Sequence, residues 1–279
     1  MNGTMALGPA NAPLVSVIIP VYNGERYIGR TIASVAAQTV PDWEIIAVND
    51  GSPDGSLAVL EEEARRDPGR IHVISVANGG VSRARNTGVA NARGTLIAFI
   101  DQDDLWAPEK LEKQLAQFSA TPSLGLSFTN ESVIDARDAL VRNKVLKFDP
   151  TTCRGMVFSH LVFDNFIPVS SVMIRKDLFS AIGGFDPQFA FAEDYDFLLR
   201  AAREAPFDFL DDPLLLYREH GENYTYRKID IITRESFAIL DAWKAKDPAF
   251  FRNNALKYWL FKLKFWYLNF RVQVKKATG

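Results

Sequence analysis

The chain has 279 residues, 47% of them hydrophobic, enough for one large domain, or a domain with an appendage, around a substantial core. Lys and Arg number 32 against 34 Asp and Glu, a net charge of -2, which excludes the global basic field that marks a nucleic-acid binder. The single cysteine, Cys153, excludes an intramolecular disulfide and a multi-cysteine zinc site and fits a reducing compartment, so a cytoplasmic location is expected.

Met1–Pro13 lacks the basic start and continuous apolar run of a signal peptide, and residues 1–12 read as a flexible tail. From Val15 to Trp106 short β-rich runs, VSVIIP, EIIAV, IHVISV and LIAFI, alternate with helical patterns. Ile28, Ile32 and Val35 recur on one face of a helix after the first run, and Leu57, Leu60 and Ala64 do so after the second. Such alternation predicts crossover units and a mostly parallel sheet covered on both faces, with ligands beyond the carboxyl ends of the strands.

Those ends carry the chemistry. The first run stops at Pro20-Val21-Tyr22-Asn23-Gly24-Glu25 and the second at Asn49-Asp50-Gly51-Ser52, which also reads as an ordinary turn before a helix. Gly79 and Gly80 precede a helix start with Ser82 as a cap and Arg83 and Arg85 in its first turn. Arginines there oppose the helix dipole and call for an anionic ligand or for acids to pair with. The fourth run stops on Asp101, Asp103 and Asp104. Carboxylates grouped so tightly suit Mg²⁺ or Mn²⁺ shared with a diphosphate, or serve as turn residues and caps. Neither GxGxxG nor GxxxxGK[ST] occurs at the first turn.

Beyond Pro108 a helix, LEKQLAQF, leads to a strand at Leu124–Phe128. Glu131–Pro168 shows few periodic signals and would hold a hairpin, a loop or both. A short strand follows at Ser171–Lys176, then a Gly183-Gly184-Phe185-Asp186 turn, then Glu193 and Asp194 ahead of a helical pattern, as caps or as a general base. His72 and His160 have no chemical context and read as structural.

In order, the segments VSVIIPVYNGERYIGRTIASVAAQT, VNDGSPDGS, GGVSRARNTGVANARG, FIDQDDLW, GGFD, AEDYDFLLR and YREHGEN resemble the family-2 glycosyltransferases. The resemblance covers about Pro13 to Asn223 and implies a GT-A fold: a Rossmann-like, mostly parallel α/β sheet flanked by helices, over residues 13–223, with a C-terminal helical extension, 224–279. It implies an inverting hexosyltransferase moving a sugar from a nucleotide-diphospho-sugar to an acceptor hydroxyl with Mn²⁺ or Mg²⁺, in cell-surface polysaccharide or glycolipid assembly. By the same resemblance Tyr22 and Asp50 hold the nucleobase, Pro20 and Glu25 shape its pocket, and Arg85 contacts the donor. Asp101 lies near the ribose, Asp103 ligates the metal and Asp104 lies near the donor sugar. Asp194 is the catalytic base, Glu193 orients the acceptor or the loop, and His220 contacts the metal or diphosphate in some members. UDP is the preferred nucleotide because Asp50 can accept the uracil imide N–H. The absence of QxxRW after Asp194 and of a membrane-spanning run points to addition of one sugar or a few, not to extrusion of a polymer.

Ala255–Lys276 repeats Lys257, Lys264 and Arg271 every seven residues among aromatics. The alternatives are a helix packed on the catalytic domain, one packed in a homodimer, and a peripheral contact of 255–276 with the inner face of the cytoplasmic membrane, suited to a lipid-linked saccharide acceptor. Two competing functions stay open: a sugar-phosphate nucleotidyltransferase, which lacks a Gly-rich first loop here, and a non-catalytic nucleotide-sugar-binding homologue.

Overall fold

The computed structural model describes residues 13–147, 150–220 and 228–278. In chain order the elements are β1 (Val15–Val21), α1 (Ile28–Ala36), β2 (Trp43–Asp50), α2 (Ser56–Arg66), β3 (Ile71–Val76), α3 (Val81–Ala90) and β4 (Leu96–Phe99). Then come β5 (Leu105–Trp106), α4 (Lys110–Ala120), β6 (Leu126–Ile134), β7 (Leu140–Arg142), α5 (Phe158–Leu161), β8 (Met173–Arg175) and α6 (Lys176–Ala181). The chain continues through α7 (Glu193–Glu204), β9 (Phe207–Arg218), α8 (Ile229–Lys246), α9 (Pro248–Asn253) and α10 (Ala255–Thr278).

Among the described residues nine strands form one sheet in the order β3-β2-β1-β4-β8-β6-β9-β5, with β7 on β6. The pairs β3-β2, β2-β1, β1-β4 and β6-β9 are parallel, and only the short strands β5, β7 and β8 run against the rest. The sheet is therefore mostly parallel. Period-2 geometry explains the continuous apolar runs, because both faces are covered. Val15, Val17, Ile19 and Val21 of β1 join α1, α2 and α4 in one cluster, while Ile18 joins α3, α7 and the C-terminal helices in the other. On α1, Ile28, Ile32 and Val35 are buried, whereas on α2 only Leu60 of the predicted stripe is fully so.

Three local expectations need correction. The strand predicted at Leu124–Phe128 begins at Leu126, because the Leu124 N–H closes a turn on Thr121 after α4, and it runs on to Ile134. Its continuation pairs with β7, so the 131–168 segment opens with a hairpin. The strand predicted at Ser171–Lys176 shrinks to Met173–Arg175, since Val169–Ser171 is a 3₁₀ turn and Lys176 starts α6. Ser82 does not cap α3. The helix begins one residue earlier with Gly80 at the cap position, φ 87°, a conformation that favours glycine. The last part of YREHGEN, residues 221–223, and the proposed 223/224 domain boundary lie outside the described residues. Ile239, Leu240, Phe251, Tyr258 and Phe261, all beyond that boundary, share a core with Phe99, Phe128 and Tyr195.

Candidate active site

The carboxyl ends of β1, β2 and β4 meet in cross-linked loops. After β1, Tyr22 is exposed, and both its backbone groups are held by one side chain: its N–H donates to Gln102 Oε1 at 2.7 Å and its carbonyl accepts from Gln102 Nε2 at 2.9 Å. A Cβ on Gly24 would lie 2.5 Å from Gln102 Oε1, so a larger residue there would push aside the amide that holds Tyr22. The Gly24 N–H donates to Ser56 at 2.8 Å, and Glu25 accepts from the Gly55 N–H at 2.9 Å. Pro20 is a buried β1 residue opposite Val48, so it stiffens the strand that leads into this loop.

Asp50 sits at the end of β2, 3% exposed, and its carboxylate accepts from the N–H groups of Gly79 and Gly80, both at 2.8 Å. Asn78 Nδ2 adds a bond to the Asp50 carbonyl at 2.9 Å. Its immediate work is thus to shape the glycine pair ahead of α3. Arg83 is exposed beside that pair, whereas Arg85, two residues on, is buried.

Arg85 joins the two halves of the site. Its guanidinium donates to Asp101 Oδ1 at 2.7 Å and to Glu193 Oε1 at 2.8 Å, over the Phe185 ring at 5.1 Å. Burial works to lower the Arg85 pKa, but the two carboxylates outweigh it and raise it. Of the two readings weighed for the α3 arginines, Arg85 follows the one in which acids are the partners. Phe185 is fixed in turn by Asn86, whose side chain donates to its carbonyl at 2.7 Å and accepts from its N–H at 2.9 Å.

The three acids after β4 separate. Asp101 keeps 38% of its side chain exposed, and Asp103 23%. Asp103 Oδ2 lies 2.8 Å from His220 Nε2, and its carbonyl accepts from Arg218 Nε at 2.6 Å. His220 stacks on Tyr27 at 5.1 Å. Asp104, by contrast, is buried beneath the turn and accepts from the Arg218 N–H at 3.0 Å. Burial, then the charges of Asp103 and Asp101, push its pKa well up. The position implied for Asp104, beside the donor sugar, is thus one for an accessible acid, whereas the structure puts its carboxyl under the loop.

Glu193 and Asp194 also separate. Glu193, 8% exposed, is tied to Arg85, and burial lifts its pKa to about 7 against the pull of that arginine, with Asp194 adding to the rise. Asp194 is only half-buried, and its Oδ1 accepts from the Tyr195 N–H at 2.6 Å. Burial raises its pKa too, opposed by Arg85, Tyr195 and Asn165. Neither acid is the N-cap residue of α7, which is Ala192, although Asp194 takes the first-turn N–H of Tyr195. Glu235 of α8 instead holds the turn that leads into α7, accepting from the N–H groups of Ala190, Phe191 and Ala192 at 2.9–3.1 Å. Neither Gln102 nor Glu235 stands out in the sequence: the first is the middle of an acidic motif, and the second lies 43 residues from Ala192.

Among the described residues no group of three or more His, Cys, Asp and Glu side chains forms a metal cage. Mg²⁺ and Mn²⁺ do not need one, since they use one or two carboxylates and complete their shell with water and phosphate. Accessible Asp101 and Asp103, with His220 at hand, fit such an ion.

The sequence profile of Glycosyl transferase family 2 matches residues 16–179. The chain is 40% identical over 222 residues to the uncharacterized glycosyltransferase EpsJ of Bacillus subtilis (strain 168), covering 76% of this chain and 63% of EpsJ. In fold it is similar to S. aureus TarS 1–349 in complex with UDP, with a TM-score of 0.61 at 23% identity, over 79% of this chain and 64% of that one. It is likewise similar to the mannosyltransferase PcManGT of Pyrobaculum calidifontis in complex with GDP-Man and Mn²⁺, with a TM-score of 0.62 at 18% identity, over 97% and 89% of the two chains.

Proposed function

The chain belongs to Glycosyl transferase family 2, and from that premise we propose that it moves a sugar from a UDP-sugar to an acceptor hydroxyl with inversion at the anomeric carbon. The observation that carries this reading is the Arg85 bridge, which ties Asp101, on the donor side, to Glu193, on the acceptor side. Asp194, the more accessible acid of its pair, takes the proton of the acceptor hydroxyl as that oxygen attacks. The bond from the anomeric carbon to the diphosphate breaks, and its electron pair leaves with the diphosphate. A raised pKa makes Asp194 a better proton acceptor than an ordinary aspartate. Glu193 and Arg85 hold the start of α7 against the acidic turn and so fix the direction from which the acceptor arrives.

Asp103 would hold a divalent cation, with Asp101 or His220 beside it. Bound there, the ion supplies Lewis-acid neutralisation of the charge growing on the departing diphosphate. TarS is seen with UDP, which supports the uridine choice, and PcManGT, seen with GDP-Man and Mn²⁺, supports the ion. Tyr22, exposed at the mouth, offers a ring for the base, and Asp50 sets the floor beneath it. The acceptor is a saccharide, free or lipid-linked, of a cell-surface polysaccharide or glycolipid, met at the inner face of the cytoplasmic membrane.

Calorimetric titration with UDP, with and without Mn²⁺, tests the donor site. Mn²⁺ should tighten binding to the unaltered chain and do nothing for Asp103→Ala. A metal-dependent gain that survives Asp103→Ala removes Asp103 from the site, and tighter binding of GDP than UDP overturns the uridine choice.

A further inference from the structure

Helix α10 has two apolar faces, and only one is used. Tyr258 and Phe261 are buried, with Phe261 stacked on Tyr195 at 6.0 Å and tilted against Phe265 at 4.7 Å. Lys262 and Tyr258 both bond Asp241 of α8. The other face carries Leu256, Trp259, Leu260, Leu263, Trp266 and Phe270, each between 53% and 73% exposed. At 3.6 residues per turn these six fall within an arc of about 120°. A patch of that size on a folded chain marks a contact surface.

Charge identifies the occupant. Lys257 and Lys264 are exposed along one border of the arc, Lys264 in an exposed ion pair with Asp164. Six of the chain's 32 basic residues, and none of its 34 acidic ones, lie between Ala255 and Thr278. A second copy related by a twofold axis would bring these lysines toward their own equivalents. A surface of anionic lipid would instead meet them with opposite charge while taking the tryptophans and leucines into its acyl boundary. No helix of the described residues is long and apolar enough to cross a bilayer, so the helix would lie in the interface.

We propose that the exposed face of α10 docks on an anionic bilayer and so brings the site to an acceptor anchored in that bilayer, the second part resting on the assignment of Asp194 above. The helix is wired to that residue. Phe261 packs on Tyr195, the neighbour of Asp194, and Lys264 pairs at 2.8 Å with Asp164, the neighbour of the Asn165 that bonds Asp194. One helix diameter, about 10 Å, separates the two faces of α10.

The test is flotation of the full chain with vesicles of phosphatidylglycerol and phosphatidylcholine, against phosphatidylcholine alone, at low ionic strength. The chain should float with the anionic vesicles and lose that binding as salt rises. The triple variant Trp259→Ser, Leu263→Ser, Trp266→Ser should partition at least about tenfold less. Lys257→Gln, which removes one exposed charge and leaves the apolar residues in place, should partition about fivefold less. UDP titration of the same samples should be unchanged. Failure of the unaltered chain to float overturns the proposal, as does a dimer that the triple variant dissociates in the absence of any vesicle binding. Flotation without UDP binding would instead leave the surface standing and sink the donor site.

Discussion

Two buried glutamates meet arginines at opposite edges of the sheet, and they fare differently. At the amino ends of the parallel strands, Glu44 is 1% exposed and accepts from the Ser16 hydroxyl at 2.6 Å and from the Arg93 N–H and Nε, both at 2.7 Å. Burial pulls its pKa up, but those donors together bring it below the ordinary value. His72 borders the same pair, 3.6 Å from Glu44, in keeping with a structural histidine. At the carboxyl ends, Glu193 shares one guanidinium with Asp101, has Asp194 beside it, and is raised to about 7. An acid supplied with enough donors is a fastening. One left short of them beside a second acid keeps an unspent electrostatic potential, the arrangement on which the proposed function draws.

The contrast breaks most sharply at Asp194. Asp194→Asn keeps the shape and the bond from Tyr195 but removes the proton acceptor, so sugar transfer should fall by about 10²–10⁴-fold with UDP affinity and melting temperature nearly unchanged. Near-normal transfer would move the base to another acid. At the opposite edge, Glu44→Gln should cost about 1–3 kcal/mol in a urea titration and leave the rate per folded molecule intact, since one lone pair and the charge are lost from a filled cluster.

The pH dependence sharpens the comparison. Glu193 titrates at about 7 when folded and near 4.5 when unfolded, so its stabilising contribution is full below about 4.5 and is lost as pH rises through 7. Glu193→Gln should remove that loss. Glu44 has the opposite sign: its contribution is present above the ordinary glutamate range and disappears as pH falls through its lowered value, so Glu44→Gln should flatten the acid limb. Urea midpoints of both variants from pH about 2 to 8 measure this, and identical profiles would erase the distinction. The smallest effect belongs to Gln102→Ala, which frees the Tyr22 loop. About 1 kcal/mol of stability should go, with UDP affinity falling by several-fold.

The sequence revealed the parallel half of the sheet because strands buried on both faces leave unbroken apolar runs, as in VSVIIP and EIIAV. It also assembled the strand-end loops, since ligands in such sheets gather at one edge, and Ser52, Ser56 and Gln102 do link those loops. What it did not separate were acids of equal chemistry. Asp103 and Asp104 are neighbours in sequence, yet one faces the cleft and the other takes the Arg218 N–H beneath it, a difference set by β9, more than a hundred residues away. Glu193 and Asp194 differ in the same way, through Arg85. The hairpin at β6 and β7 was illegible because its exposed tip strand, Leu140–Arg142, has no buried face to impose a period.

Glu235 alters what a minimal enzyme would be. A fragment ending near residue 223 would contain every residue assigned to the site, and by motif content it would look complete. It would also lack the carboxylate that gathers the N–H groups of Ala190, Phe191 and Ala192, and so would leave open the donors of the turn that leads into α7. Grafting this glycosyltransferase core onto another C-terminal region, or trimming it for expression, therefore requires that α8 travel with it.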